Sequence, residues 1–197
     1  MPNQPEQPPD LPAGDPDSLD RALLSQVAAA DRTSFDDLYR RYYPRLVNFA
    51  MRSTSRADLA EEVAADTLFT VWQKAKSFRG GSKVSTWIFG IAYRKSLKAL
   101  SKSLRRESRT GGDVEQTAEP AEAPNQNAVI FKDQVAAALR ELPVEQRTVV
   151  ILTFVYGYKY EEIAAIVGRP VNTIKTRMRA ARLKLHAVYG ESPVGGE

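Results

Sequence analysis

The segment YEEIAAIVGRPVNTIKTRMRAARLKL, residues 160–185, decides the fold of this chain. Its first part has apolar residues at helical spacing, so that Ile163 and Val167 fall on one face. Gly168 suits the left-handed backbone that often ends a helix, and Pro170 suits the first position of the next one. Apolar residues then recur every three or four positions. The segment therefore predicts two helices joined by a tight turn, a helix-turn-helix.

The second helix of this pair is predicted to carry a cationic face opposite its apolar stripe. A helix that follows a tight turn and is lined with basic side chains has the geometry that enters the major groove of DNA. Near its start, Asn172 can pair with adenine, and Lys175 or Arg177 with guanine. Arginine and lysine residues further along the helix are placed to bind phosphate. An ordinary helical hairpin with a solvated basic face is the alternative. The predicted DNA-reading residues are Arg169, Asn172, Thr173, Lys175, Thr176, Arg177, Arg179 and Arg182.

The region before this motif is also predicted to be helical. A helical pattern begins near Ala128, and Pro143 interrupts it. The apolar residues 149–152 are compatible with a buried strand, but the helical patterns on both sides favour a buried helix over residues 144–156. The C-terminal part of the chain is therefore expected to be a small helical domain.

The N-terminal half shows four further helical patterns. Asp17 or Ser18 can cap the first of them. Pro44 falls inside the second and is expected to kink or divide it. The third runs from about residue 58 to 76, and the fourth from about 85 to 106. No alternating strand pattern occurs along the sequence, which predicts an all-α fold.

Composition divides the chain into two small helical domains joined by a flexible linker. The N-terminal tail is rich in proline, and the linker is rich in Gly, Pro, Glu and Gln without periodicity. We predict a disordered tail over 1–17, a helical domain over 18–106, a linker over 107–127, a helix-turn-helix domain over 128–190 and a tail over 191–197.

A second informative stretch surrounds the adjacent glycines Gly80 and Gly81. A glycine loop lets the backbone come close to a ligand. Aromatic residues among cations suit unpaired bases, which stack on the rings while Lys and Arg bind phosphates. Trp87 and Phe89 fit a packed core equally well. The Gly-Lys-Ser/Thr ending of a nucleotide-hydrolase phosphate loop is missing here.

Composition also excludes several functions. The chain has no cysteine, which excludes disulfides and thiolate chemistry. No apolar run approaches the roughly 20 residues that span a bilayer, and the N-terminus lacks a signal-peptide pattern, so we expect a cytoplasmic protein without membrane insertion. The only histidine, His186, is expected on the surface. Without a carboxylate pair or a metal-ligand cluster, we predict no enzyme, no cofactor and no metal.

The net charge of +4 is unevenly distributed. Residues 74–109 contain eleven basic residues and one acidic residue, and residues 169–184 contain six basic residues and no acidic one. The segment between them, 110–127, is acidic. Two basic blocks, each tied to a motif, indicate two contacts with a polyanion.

Two other functions remain open at this point. A free-standing helix-turn-helix regulator would bind duplex DNA alone and leave the aromatic-basic stretch without a purpose. In a helical adaptor protein, the lysine and arginine side chains would only form solvent-exposed helix faces. Such a protein would show no salt-dependent nucleic-acid binding.

Five stretches together carry a resemblance to a known family. They are FDDLYRRYYPRL (35–46), DTLFTVW (66–72), FRGG with STW (78–81 and 85–87), LP with Arg147 (142–147), and YEEIA through G-x-P to TIKTR (160–177). In order and spacing they resemble the extracytoplasmic-function group of bacterial RNA polymerase sigma factors over about residues 18–187.

This resemblance implies a bacterial transcription initiation factor that works while bound to core RNA polymerase. The first domain would dock on the clamp helices of the largest subunit and melt the −10 element. The second would read the −35 element beside the flap of the second-largest subunit. An anti-sigma partner and a stress or envelope-response regulon are expected as well.

The resemblance also assigns residues to these roles. Polymerase binding falls on Glu62, Asp66, Phe69 and Gln73. Recognition of the −10 element falls on Phe78, Arg79, Ser82, Lys83, Tyr93, Arg94 and Lys98.

Overall fold

The computed structural model describes residues 16–110 and 135–189, and within these two ranges the secondary structure is helical, without strands. The all-α prediction is therefore confirmed. The helices are α1 (Pro16–Ala28), α2 (Arg32–Thr54), α3 (Ala60–Lys74) with a 3-10 turn (Ala75–Ser77), α4 (Val84–Thr110), α5 (helical residues 135–140), α6 (Val144–Phe154), α7 (Tyr160–Val167) and α8 (Val171–Tyr189).

α2 begins with a side-chain cap and passes through Pro44 without being divided. The Asp31 carboxylate accepts the Ser34 N–H at 3.0 Å, which satisfies one of the free donors at the helix start. The expected division at Pro44 is wrong, because Pro44 lies on the exposed side of the helix. Buried residues on either side, Leu38 and Leu46, anchor both parts of the helix in the core.

The core of the N-terminal domain forms where α1, α2, α3 and α4 meet. Its fully buried side chains include Leu46, Phe49, Leu68 and Ile88. One buried polar group is part of this core: the Tyr42 hydroxyl donates to the Asp20 carboxylate. Burial, followed by that carboxylate, raises the pKa of Tyr42, so the phenol stays protonated as the donor. The hydrogen bond links α1 to α2 inside the core.

An ion-pair network joins the segment after α2 to the far end of α4. The Arg56 guanidinium lies 2.8 Å from Asp58 and 2.6 Å from Glu107. Its hydrogen bonds hold the pKa values of both carboxyl groups below their usual range. Glu107 lies near the end of α4, which continues to Thr110, into the segment predicted to be linker.

The C-terminal domain consists of α5 to α8. Residues 149–152, for which a strand was the alternative, lie in the middle of α6 and are buried, so the helical interpretation is confirmed. Gly168 has a φ of +65° at the end of α7, the left-handed conformation that the turn requires. Ile163 of α7 and Ile174 of α8 are fully buried at the centre of the motif.

The two domains pack against each other, which the sequence did not predict. α7 lies across α4, and α6 contacts α2. Tyr156, in the segment after α6, packs its ring on Phe49 and Phe89 of the N-terminal domain, with centroid separations of 6.1 and 4.8 Å. The Tyr156 hydroxyl donates to the Arg45 carbonyl at 2.8 Å. The two hydrophobic cores therefore form one continuous cluster.

Part of the predicted organisation lies outside the described residues. This holds for residues 1–15 of the N-terminal tail, for 111–134, which include most of the predicted linker, and for 190–197. At the other boundary, Pro16 and Asp17 belong to α1 and not to a tail.

Candidate nucleic-acid interface

α8 carries an exposed cationic ridge along one side. Its apolar stripe, Ile174, Met178 and Ala181, is buried against α6 and α7. The opposite side faces solvent, because helical spacing places the polar residues there. Seven predicted or neighbouring polar residues of the turn and helix are exposed: Arg169, Asn172, Lys175, Thr176, Arg179, Arg182 and Lys184.

Thr173 and Arg177 occupy a different position from the rest of this ridge. Both are only partly exposed. The Arg177 guanidinium lies near the hydroxyl of Tyr93 on α4, where burial raises the tyrosine pKa and the positive charge opposes that rise. Arg177 thus connects the predicted −35 surface with the predicted −10 surface of the other domain.

The start of α7 also reaches the N-terminal domain. Lys159 offers no side-chain acceptor at the cap position, but its N–H donates to Glu162 at 2.9 Å, which is half of a capping box. Glu162 also lies 2.8 Å from the Lys83 ammonium group. Burial raises the pKa of Glu162, but Lys83 and the Lys159 N–H outweigh this effect and lower it. One carboxylate thus caps α7 and holds a predicted −10 residue.

The loop 78–83 presents its predicted residues unequally. Arg79 and Lys83 are exposed, whereas Phe78 packs against Trp87 with ring centroids 5.4 Å apart. Ser82 is half-buried. The loop therefore offers cations to a ligand, with an aromatic pair beneath them.

An open cleft of about 420 Å³ lies between α3 and α4. It contains the ring of Trp87 and four cations: Lys74, Arg94, Lys95 and Lys98. Arg94 and Lys98 were predicted as site residues, whereas Lys74 and Lys95 were counted in the basic block without a role. Lys74 lies on α3, so spacing along α4 could not group it with the others, whereas Lys95 directly follows Arg94 on α4. Tyr93, which was grouped with Arg94 and Lys98, does not lie on this exposed surface. The C-terminal domain covers it, and only 6% of the residue is exposed.

A further exposed surface runs along α3. Glu62, Asp66, Phe69 and Gln73, the predicted polymerase contacts, are all exposed and recur at helical spacing. Phe69 is 59% exposed, so this face combines one large apolar side chain with polar ones. Asp66 forms an ion pair with Lys95 at 3.2 Å, so this face borders the cationic cleft.

Among residues 16–110 and 135–189, no group of three or more potential metal ligands comes together. In the same part of the chain, no helix combines the length and apolarity needed to cross a bilayer.

The fold and these surfaces define a class of protein: an all-α nucleic-acid-binding protein with two cationic surfaces, one on a helix-turn-helix and one beside an aromatic cleft. Comparison with known families agrees with this class. Residues 38–109 match the family model for Sigma-70 region 2, and residues 132–185 match that for Sigma-70, region 4.

Individual relatives are similar over most of the chain. The ECF RNA polymerase sigma factor RpoE of Cereibacter sphaeroides is 36% identical over 163 residues, covering 79% of this chain and 87% of the relative. SigM of Mycobacterium tuberculosis is 30% identical over 171 residues, covering 87% and 85%. The chain belongs to the extracytoplasmic-function RNA polymerase sigma factors.

A solved structure extends the similarity to the fold. The sigma factor RpoE from Bartonella quintana, in complex with the anti-sigma factor NepR, matches with a TM-score of 0.67 and 30% sequence identity. The match covers 80% of this chain and 98% of that one.

Proposed function

We propose how this protein, an RNA polymerase sigma factor that binds core RNA polymerase and promoter DNA, divides these partners among its surfaces. We propose that the cleft between α3 and α4, with the loop 78–83, holds the melted −10 strand, while α8 reads the −35 duplex. One observation carries this assignment: in the cleft between α3 and α4, the partly exposed Trp87 lies among the cations Lys74, Arg94 and Lys98, next to the glycine loop.

The surface on α3 and α4 suits single-stranded DNA, and the surface on α8 suits duplex DNA. Unpaired bases present ring faces that stack on a side chain such as Trp87, while Lys74, Arg94 and Lys98 neutralise the phosphates. A paired duplex presents only base edges, which a helix in the major groove can reach. The exposed Asn172 and Lys175 lie at the start of α8, where such contacts are made.

We propose that the exposed face of α3 docks on the clamp helices of the polymerase. Glu62, Asp66 and Gln73 supply polar contacts, and Phe69 supplies an apolar anchor whose burial would favour binding. The flap of the second-largest subunit is proposed as the neighbour of the C-terminal domain. Core polymerase would carry out the chemistry of transcription, and this chain would choose its starting point.

Binding both promoter elements requires the two domains to separate. The names of the elements place them about 25 base pairs apart, which is about 85 Å of duplex at 3.4 Å per pair. In the structure, the two domains are in direct contact, with Lys83 only 2.8 Å from Glu162. The 24 residues of 111–134 can span about 80 Å if extended, so the covalent connection permits the separation.

Run-off transcription tests the proposed function. The purified chain is added to core bacterial RNA polymerase with fragmented genomic DNA, and the start sites are mapped. We expect defined starts that share sequence near −10 and −35. Core polymerase that neither co-purifies with the chain nor starts such transcripts would refute the function. Specific duplex binding by the chain alone would favour a free-standing regulator, and no salt-dependent DNA binding would favour an adaptor.

An anti-sigma partner, a stress or envelope-response regulon and a place of action in the cytoplasm are proposed on the basis of the relatives. The solved Bartonella quintana factor is bound by such a partner. Gentle purification of the chain from its native cells, followed by mass spectrometry, tests the partner. We expect a co-purifying protein that suppresses run-off transcription in proportion to the amount added.

A further inference from the structure

The loop 78–83 is held at both of its ends by two residues of α1, a helix to which no DNA role has been assigned. Asp17 contacts the backbone of Val84, the first residue after the loop. Arg21 contacts the backbone of Ser82 and the ring of Phe78. These contacts join segments that are more than 50 residues apart in the sequence.

Asp17 caps a helix other than its own. The first N–H groups of a helix lack partners within it. At the start of α4 the preceding residue, Lys83, has no side-chain acceptor, and Asp17 Oδ1 accepts the Val84 N–H at 2.7 Å. A carboxylate at this end also interacts favourably with the helix dipole. Asp17 therefore fixes the point where the loop becomes helix.

Arg21 makes three contacts with its planar guanidinium group. Its Nε donates to Asp17 Oδ2 at 2.6 Å, its Nη2 donates to the Ser82 carbonyl at 2.8 Å, and its carbon centre lies 5.6 Å from the centroid of the Phe78 ring. It also passes Gly80, which has a φ of +73°, and a Cβ there would lie 3.2 Å from Arg21 Nη1. Only a rigid fork of donors can serve these partners simultaneously.

We propose that Asp17 and Arg21 are positioning residues for −10 recognition, which hold the loop so that Arg79 and Lys83 meet the DNA in a fixed geometry. This rests on the proposed function of the loop. It adds two residues to the −10 machinery, and both act through the loop backbone and Phe78.

These two residues can be changed without removing the packing of α1. That helix is anchored by Leu24 and Val27, which are 2% and 3% exposed, whereas Arg21 is on its exposed side. Arg21→Met removes the guanidinium contacts, and Arg21→Lys keeps the charge but not the fork. Asp17→Asn keeps an oxygen for the Val84 N–H but loses the charge.

The first measurement uses the free protein and needs neither polymerase nor promoter. Trypsin can cut after Arg79, and mass spectrometry gives the rate of that cleavage under native conditions. We expect cleavage about three- to tenfold faster in Arg21→Met and Arg21→Lys, since a charge-assisted hydrogen bond at a partly exposed site is lost. Asp17→Asn should have a smaller effect. The matched control is Arg40→Met, which removes an exposed ion pair on α2.

The second measurement uses holoenzyme assembled with core polymerase and a start site mapped by run-off transcription. The probe is a fork DNA with a duplex −35 element and a single-stranded −10 strand, with either the mapped −10 bases or substituted ones. We expect Arg21→Met and Arg21→Lys to lower the preference for the mapped −10 bases by about tenfold, within the range that one base contact contributes. Affinity for core polymerase and preference at the −35 element should stay at wild-type values.

The outcomes separate this proposal from the function on which it rests. If wild-type holoenzyme initiates but both Arg21 variants keep full −10 preference, the positioning role is overturned and the sigma function stands. If Arg21→Lys behaves as wild type while Arg21→Met loses −10 preference, charge alone matters and the proposal is again overturned. Equal losses at −10, at −35 and in polymerase binding would show that Arg21 supports the fold as a whole, which also overturns a specific positioning role. A wild-type chain that starts no transcript overturns both.

Discussion

Tyr156 makes several of the contacts between the two domains, and replacing this residue should shift the protein toward an open form. The Tyr156 ring contacts Phe49 and Phe89, and its hydroxyl donates to the Arg45 carbonyl at 2.8 Å. Burial raises the pKa of Tyr156 to about 12, so the hydroxyl remains a donor throughout the physiological range. Tyr156→Ala removes all of these contacts at once.

The size of the effect follows from these contacts. Each aromatic pair contributes about 0.5–1.5 kcal/mol and the hydrogen bond a similar amount. Because Tyr156 is only half-buried, we expect the lower part of the sum, about 2–3 kcal/mol of domain docking. This corresponds to a shift of about 30- to 150-fold in the ratio of open to closed molecules. Tyr156→Phe, the matched control, keeps the ring contacts and should shift the ratio by no more than about tenfold.

Single-molecule energy transfer between the two domains measures this ratio. The chain has no cysteine, so dyes can be attached at cysteines introduced at the exposed Lys102 and Lys184. A urea series finds the concentration at which half of the molecules are open, for wild type and for each variant. Circular dichroism checks that the proteins remain helical at that concentration. If Tyr156→Ala opens at the same urea concentration as wild type, then the aromatic contacts do not hold the domains together.

Three other predictions concern a DNA contact, an ion-pair network and a core residue. Arg177→Ala should weaken binding to a −35 duplex by about 1–3 kcal/mol in fluorescence anisotropy, and an equal loss on scrambled duplex would show a phosphate contact instead of base reading. The pKa values of Asp58 and Glu107 are lowered, so their stabilisation is present at neutral pH and should be lost as the pH falls below about 4. Acid titration of Arg56→Gln should accordingly show a weaker dependence in that window, and an unchanged profile would contradict the network. Leu46→Ala leaves a cavity at a fully buried position and should cost about 2–5 kcal/mol in urea unfolding, whereas a cost under about 1 kcal/mol would mean that the site collapses.

The helices were predictable because their signals are local. The spacing of apolar residues in α8 and the pair Gly168 and Pro170 specify a helix-turn-helix within about 25 residues, and each signal acts on its own segment. The strand alternative for residues 149–152 could be rejected from the neighbouring patterns. Pro44 shows the limit of local rules, because its exposed position and the packing beside it decide whether a helix is divided.

The exposed residues of the candidate site were also largely predictable. Charge and periodicity place Arg94 and Lys98 of α4 on solvent-facing positions, as they do for most cations of α8. Of the two unpredicted members, Lys95 directly follows Arg94 on α4, but Lys74 joins the cleft from α3. Sequence spacing cannot show this, since it contains no information on which helices are neighbours.

The sequence by itself determined the helices, the turn between α7 and α8, the cationic faces and the family. The tertiary structure alone decided how distant segments meet: that Asp17 caps α4, that Arg21 holds the loop 78–83, and that Tyr93 is buried beneath α7 and α8. The physical reason is range. Helix propensity and amphipathic spacing act over three or four residues, whereas these contacts join groups more than 50 positions apart, whose proximity depends on how the whole core packs.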